Sequence, residues 1–286
     1  MNKLSKFTLI VALSVAAVSC DKYDEFDDNL GTGVRSKFLV DKIYNYHNSL
    51  LAEYIYDDNN RLIKRIVKDT LVEPNGNIYR RWENEFQYKN GRVSKMKNYN
   101  LYIDKRTFAT GEPQESRTEA TFEYNSQGRL IKSNGELLNF RYENGHIVGS
   151  SIENDQWIHS DTMVYDNFGN IIEHIRIVPE LTMFGEPIPC TAVRTVRYYE
   201  YDNKPKPNFG LDYLFVFNPF PYTEGPDLTR ALSQNNMIKA TEDGYAFIYT
   251  YNEKGLPTTI ETKWLGIETL EPMLLRITYK QILTIY

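Results

Sequence analysis

The sequence predicts an all-β protein, an antiparallel meander of about seven hairpins curled into an open or closed barrel. Three observations carry this reading. A short pattern of the form Y-x-Y-D-x-x-G-x-L recurs in degraded copies. Apolar residues at the start of each copy are spaced by two, the period of a strand. Turn-forming Asp, Asn and Gly then follow as a block. The copies read YIYDDNNRL from Tyr54, FQYKNGRV from Phe86, FEYNSQGRL from Phe122, FRYENGHI from Phe140, MVYDNFGNI from Met163 and YTYNEKGLP from Tyr249. A seventh, YEYDNKP from Tyr199, begins the pattern and runs into a long insertion.

Each part of a copy has a physical reason. The aromatic or Met residue and the Tyr two positions later point to one face and form an apolar ridge. Gly91, Gly128, Gly145, Gly169 and Gly255 fall where a tight hairpin needs a positive φ, and Asn60 takes that place in the first copy. The chain then resumes as a strand, with Leu62 and Ile66, or Ile171 and Ile175, read as same-face apolar positions. Lys64 and Glu173 interrupt those pairs, so the alternation is imperfect. The distance between copies runs from 18 residues (Tyr124 to Tyr142) to 50 (Tyr201 to Tyr251). A solenoid keeps a fixed period, so the irregularity favours a meander with loops of varying length.

Residues 1–20 read as an address rather than as part of the fold. Lys3 and Lys6 precede an apolar run from Phe7 to Val18, too short to span a bilayer, and Ala17-Val18-Ser19-Cys20 closes it. A Cys after small residues at that distance resembles a bacterial lipobox, with Ala17 where Leu is usual. Such a signal implies cleavage before Cys20 and lipid modification of its thiol. Residues 21–36, acidic and punctuated by Gly, read as a flexible tether. Residues 37–286 read as one hairpin-repeat domain carrying a long insertion at about 203–243. Within that insertion, Asp227 to Leu232 is expected to form a short helix capped by Asp227.

Removing Lys3 and Lys6 with the signal leaves 31 basic against 38 acidic residues, a net charge of −7. That disfavours nucleic acid and anionic surfaces as partners of the domain. Only Cys190 remains after Cys20, so one mature chain offers no internal disulfide.

The hairpins resemble the YD-repeat type. The arrangement as a whole is similar to a group of Bacteroidota lipoproteins carrying a domain of unknown function with a porin-like fold. The residues that carry the resemblance are the lipobox-like signal, the Y-x-Y-D hairpins, Y-D-N-K-P at Tyr201 to Pro205, S-Q-N-N at Ser233 to Asn236, and Y-N-E-K-G-L-P-T at Tyr251 to Thr258. They span nearly the whole mature chain. The resemblance implies a curled antiparallel sheet or barrel in an anchored protein, and it points to no known activity, since the function of that group is not established. A membrane-spanning strand needs an unbroken apolar outer face, whereas Val93 to Lys97 puts Lys95 and Lys97 on one face. The expectation is therefore a water-soluble barrel on a lipid leash. Acidic residues behind Cys20 resemble the surface-export signal of Bacteroidota lipoproteins. In proteobacterial sorting an Asp at position 21 instead marks inner-membrane retention. An outer-membrane anchor, facing the cell surface or the periplasm, is the expected address.

The chain shows no Gly-x-Ser-x-Gly, no P-loop, no His-Glu-x-x-His and no paired Cys. His159 and His174 flank one hairpin and invite a two-His metal site, which lacks a third ligand. No cofactor, metal or catalytic residue is assigned. Aromatic residues are the surplus, with 22 Tyr, 14 Phe and 3 Trp. Trp82, Trp157 and Trp264 lie outside the Y-x-Y pairs and are read as ligand platforms or as core. The run Leu211 to Tyr222, with Phe215, Phe217 and Phe220, is read as a barrel plug or as an exposed contact surface. The expected function is a non-enzymatic, lipid-anchored envelope protein that binds a glycan, a peptide or another envelope protein. The alternatives are a hollow barrel carrying an apolar molecule and, behind it, a hydrolase.

Overall fold

The computed structural model describes residues 34–73, 76–105, 113–133, 138–143, 146–153, 156–180, 182, 188, 191–211, 227–266 and 272–285. Among these, sixteen strands form one closed antiparallel barrel. They are β1 (Val34–Tyr44), β2 (Leu50–Tyr56), β3 (Leu62–Glu73), β4 (Gly76–Lys89), β5 (Arg92–Asp104), β6 (Gln114–Tyr124), β7 (Leu130–Ser133) and β8 (Leu138–Glu143). The series continues with β9 (His146–Glu153), β10 (Gln156–Tyr165), β11 (Ile171–Val178), β12 (Val193–Pro205), β13 (Asn235–Ala240), β14 (Tyr245–Tyr251), β15 (Pro257–Trp264) and β16 (Met273–Ile285). Every strand pairs with its neighbours in sequence, and β16 closes on β1. Closure removes the unpaired strand edges that an open meander of this length would expose. The chain divides into two units: Phe38–Ile282 holds nearly all of the barrel, and Met1–Lys37 with Leu283–Tyr286 forms the other.

The seven Y-x-Y copies fall on β2, β4, β6, β8, β10, β12 and β14, so each marks an even strand running into its turn. An eighth even strand, β16, carries a weaker form in Ile277-Thr278-Tyr279, with Ile277 buried and Tyr279 packed on the core. Eight hairpins are therefore present where the sequence pattern suggests about seven. The segment read as an insertion is also shorter than expected: 235–240 is β13, paired with β12 through Glu200↔Lys239 and Tyr199↔Ala240. The interruption proper runs from 206 to 234 and includes the helix α1 (Asp227–Leu232).

The imperfect alternation after each turn has a single cause. The ladder register shifts at Ile55/Tyr56, Gln87/Tyr88, Glu123/Tyr124, Val164/Tyr165 and Thr250/Tyr251. An extra residue there reverses which face the return strand presents. Leu62 and Val67 thus point inward and are buried, whereas Ile66 shares the outer face with Lys64. Likewise Ile171 and His174 are buried, and Ile175 faces out beside Glu173. The same-face pairings Leu62–Ile66 and Ile171–Ile175 are corrected accordingly.

The core lies inside the barrel, at the end where the short turns sit. Tyr54, Leu62, Phe86, Phe122, Leu130, Phe140, Ile147, Met163, Ile171, Phe247, Ile260 and Leu275 form one continuous buried cluster around the ring. Both ends of the 206–234 segment fill its middle. Phe209 and Leu232 belong to the same cluster, the Phe209 ring lies 5.1 Å from that of Tyr54, and Val40 N donates to Asn208 O at 2.9 Å. This end of the barrel is therefore stoppered by the chain itself.

Candidate functional site in the barrel lumen

The repeated motif is accounted for by architecture, residue by residue. The Asp or Asn after the second Tyr closes the turn: one oxygen each of Asp57, Asn125, Asp166 and Asn252 accepts from the backbone N–H two and four residues on, at 2.8–3.0 Å. The residue three positions after that Asp or Asn takes a positive φ, 61° at Asn60, 79° at Gly128, 83° at Gly169 and 73° at Gly255. The second Tyr then reaches sideways to the preceding hairpin. Tyr56, Tyr88, Tyr124 and Tyr142 donate to the carbonyls of Val40, Leu62, Val93 and Leu130 at 2.6, 2.9, 2.8 and 2.8 Å. Tyr279 does the same to Pro257 at 2.6 Å. An arginine from the preceding turn covers the ring: Arg61 over Tyr88, Arg92 over Tyr124, and Arg129 over Tyr142, at 4.8, 6.0 and 5.1 Å. Burial pushes the Tyr88 hydroxyl up to about 12, although the Arg61 charge pulls it back, so the phenol stays a donor.

This clasp changes where the interrupting segment enters. The Tyr165 hydroxyl is buried without a hydrogen-bond partner. Ser233 donates to Tyr201 at 2.9 Å and accepts from Ile171 N at 3.0 Å. Asn170 Oδ1 accepts from Gln234 N and Asn235 N at 3.1 and 2.8 Å, while its amide donates to Asn235 Oδ1 at 3.0 Å. Asn236 donates to Asp202 Oδ2 at 3.2 Å, Asn235 donates to Lys204 O at 2.8 Å, and the Tyr251 hydroxyl donates to Asp202. The Y-D-N-K-P and S-Q-N-N segments, 28 or more residues apart, thus meet Tyr251 in one largely buried network. It bolts the stopper to the barrel wall.

Toward the other end, the lumen face changes character. On β3–β6 the face that carries Phe86, Met96 and Ala120 continues as three polar rows. The first is Arg65, Asn84, Asn98 and Thr118; the second is Val67, Trp82, Asn100 and Ser116; the third is Asp69, Arg80, Tyr102 and Gln114. Asn84 donates to Asn98 Oδ1 at 2.7 Å, Asn98 to Thr118 at 3.2 Å, and Asn100 to Ser116 at 3.4 Å. The Tyr102 hydroxyl donates to Asp104 at 2.9 Å, and Arg80 lies 5.7 Å from the Tyr102 ring centre. Thr118, Ser116 and Gln114 are exposed, and Trp82, Asn84, Asn98, Asn100 and Tyr102 are half-buried. On another part of the wall Trp264 packs against Tyr245, ring centres 4.7 Å apart, both half-buried.

The outer face of the same strands is ionic. Lys64, Glu85, Lys97 and Glu119 stand side by side on β3, β4, β5 and β6, alternating in sign. Lys64 pairs with Glu83 at 2.5 Å and Glu85 at 3.2 Å, and Lys95 pairs with Glu119 at 2.5 Å. A cleft of about 500 Å³ on this wall is bordered by Glu83, Glu85, Lys97 and Glu119 and by Tyr99 and Arg117.

A second buried polar group lies on the inner face of β10 and β11. Asp161, 1% exposed, receives His174 Nε2 at 2.6 Å and Arg176 Nε at 2.8 Å on the same oxygen. Burial alone would raise its carboxyl, but the hydrogen bonds from His174 and Arg176, with the Arg176 charge, hold it below the usual carboxylate range. The His174 contact uses Nε2 on a carboxylate, and no Ser or Cys reaches its other nitrogen, so a triad geometry is not present among the described residues.

The expected ligand residues are thus dispersed. Trp82 and Trp264 both face the lumen, on separate parts of the wall. Trp157 lies on β10 opposite Ile152, and its side chain falls outside the described set. Phe215, Phe217, Phe220, Cys20 and Cys190 also lie outside the described residues, as does the 212–222 stretch read as a plug. Of that run only Leu211 is described, packed on the core. The stopper among the described residues comes from 206–211 and 227–234. The His pair is separated: His174 stands opposite Met163, and His159 lies four positions further along β10, about 13 Å away. No cluster of three metal-ligating side chains occurs among the described residues. The polar rows were missed by sequence reading because Asn84, Asn98, Asn100, Ser116 and Thr118 are scattered over three strands. Only register brings them together.

No family model and no curated protein matches the chain. Among solved structures it is similar to a porin-like protein from Bacteroides uniformis ATCC 8492, with 11% identity over 87% of this chain and 98% of that one, at a TM-score of 0.42. It is also similar to a porin-like protein from Bacteroides vulgatus ATCC 8482, with 14% identity over 85% and 99%, at a TM-score of 0.38.

Proposed function

We propose that this protein is a non-enzymatic, lipid-anchored cell-envelope protein that binds a polar ligand in the open half of its barrel lumen. The observation that carries the reading is the contrast along the lumen. The turn end is packed with Phe209, Leu232 and the ring of core residues, while the wall of β4–β6 beyond it presents solvated amides, hydroxyls and aromatic rings. Such a cup holds a ligand and does not conduct one. Lipid facing is disfavoured by the outer row Lys64–Glu85–Lys97–Glu119, since a Lys at a bilayer midplane costs about 2–4 kcal/mol. Cys20, after its apolar leader, supplies the anchor in this reading. The polar rows argue against an apolar cargo; against a hydrolase, the paired Asp161 and His174 are both buried, and no Ser or Cys among the described residues meets the other His174 nitrogen.

The test has two arms. Mass spectrometry of the mature protein should find an acylated Cys20 N-terminus, and Cys20→Ser should move the protein out of the membrane fraction. Native mass spectrometry of gently purified protein, or pull-down from envelope extract, should find a polar ligand lost when Thr118→Trp fills the lumen face. A soluble wild-type chain, or a ligand indifferent to Thr118→Trp, would sink the respective arm.

A further inference from the structure

The geometry points to a neutral oligosaccharide as the ligand class of the lumen platform on β4–β6; this rests on the lumen-binding reading above. Four adjacent strands carry the three rows, an area of about 14 Å by 14 Å, enough for more than one pyranose ring. The centre of the rows holds groups that both donate and accept. Asn84, Asn98 and Asn100 each bring an amide, and Ser116 and Thr118 bring hydroxyls. Sugar hydroxyls need this dual capacity, because each is donor and acceptor at once. Trp82 stands opposite Asn100, with Tyr102 on the diagonal two positions on, about 7–8 Å away. Two half-buried rings at that separation are bordered by amides; Trp82 also packs on the core and Arg80 lies over Tyr102, so it is the remaining exposed surface of the pair that meets the C–H faces of a sugar.

The opposite face of the same strands makes the choice of residues informative. Water would be satisfied by charges, as it is on the outer wall by Lys64, Glu85, Lys97 and Glu119. The inner rows instead hold three asparagines in strand interiors, where Asn is disfavoured by its competing backbone hydrogen bonds. The charges of the rows stand at the border, Arg65 and Asp69 on β3 and Arg80 next to Asp69 on β4; Arg80 lies over Tyr102, and Tyr102 donates to Asp104. A neutral ligand follows from a neutral centre.

The test uses the full mature chain in detergent and a panel of defined hexasaccharides: maltohexaose, xylohexaose, mannohexaose and cellohexaose, with hexagalacturonate as the acidic control. Binding is followed by calorimetry and tryptophan fluorescence. At least one neutral member should bind, and Trp82→Ala should weaken it by about ten-fold or more. Because Trp82 also packs on the core, the solvated positions Asn100→Ala and Ser116→Ala provide a second set, each expected to lose several-fold. Lys97→Ala on the outer wall should change nothing. Binding of hexagalacturonate alone, or of a neutral member with no response to the platform variants, would overturn the assignment. A peptide captured in the lumen and blocked by Thr118→Trp would overturn the saccharide class and leave the cup standing. No lumen-dependent ligand of any kind would overturn both.

Discussion

At the residue scale, the second tyrosine of each copy is a clasp between hairpins, and its hydroxyl is the working part. Tyr88→Phe removes the donor to Leu62 O and should destabilise by about 1 kcal/mol in urea unfolding. Tyr165→Phe removes a buried hydroxyl with no partner and should be neutral or slightly stabilising in the same assay. Equal losses from both would refute the clasp. Asp161 offers a pH test. Its folded carboxyl titrates below its unfolded value, so its contribution is present above about pH 4 and is lost as pH falls through the folded pKa. The unfolding midpoint of wild type should drop across that acid window relative to neutral pH, and Asp161→Asn should flatten the drop. The roles of Tyr and Gly in the repeat were legible in the sequence, because face alternation and positive φ are local properties. The hydroxyl's destination was not, because the accepting carbonyl lies 12 to 31 residues away.

At the element scale, the bolt that fixes the 206–234 segment is the most specific device in the fold. Asn170 accepts two backbone N–H groups of the return into β13, that of Asn235 buried and that of Gln234 half-buried. Asn170→Leu should cost about 1–3 kcal/mol for the donors left unmade. It should also raise the rate of limited proteolysis between 206 and 234 without altering far-UV circular dichroism. Unchanged proteolysis would mean that apolar packing of Phe209 and Leu232 suffices. Gly169 sits at a φ of +83°, and a Cβ there would lie 2.8 Å from Gln234 Cγ. Gly169→Ala should therefore destabilise by about 1–3 kcal/mol, read from the urea midpoint. The motif fragments Y-D-N-K-P and S-Q-N-N were visible as fragments, and the expected short helix lies where α1 forms. That the fragments touch is a consequence of the β12–β13 pairing, in which Pro205 stands opposite Asn235.

At the scale of the whole molecule, the outer row Lys64–Glu85–Lys97–Glu119 is a statement about solvent. Glu85→Lys would place three lysines abreast, and cross-strand like charges are destabilising by a few tenths to about 1 kcal/mol. The loss should be larger at low salt than at 1 M NaCl, because exposed charges are screened. A salt-independent loss would indicate a packing effect instead. The inner rows of the same strands are the ligand prediction, and the two faces together make a barrel that is wet on both sides at this end.

The sequence by itself determined the all-β class, the hairpin unit, the positions of the turns and the break after Tyr201. All of these follow from period-two patterning and turn chemistry within about ten residues. Only the tertiary structure decided that the barrel closes with sixteen strands, that a bulge beside the turn reverses five return strands, and that 206–211 and 227–234 stopper one end. The reason is the same in each case. Closure, register and plugging are set by contacts between residues far apart in the chain, and a local pattern carries no record of which distant strand it will face.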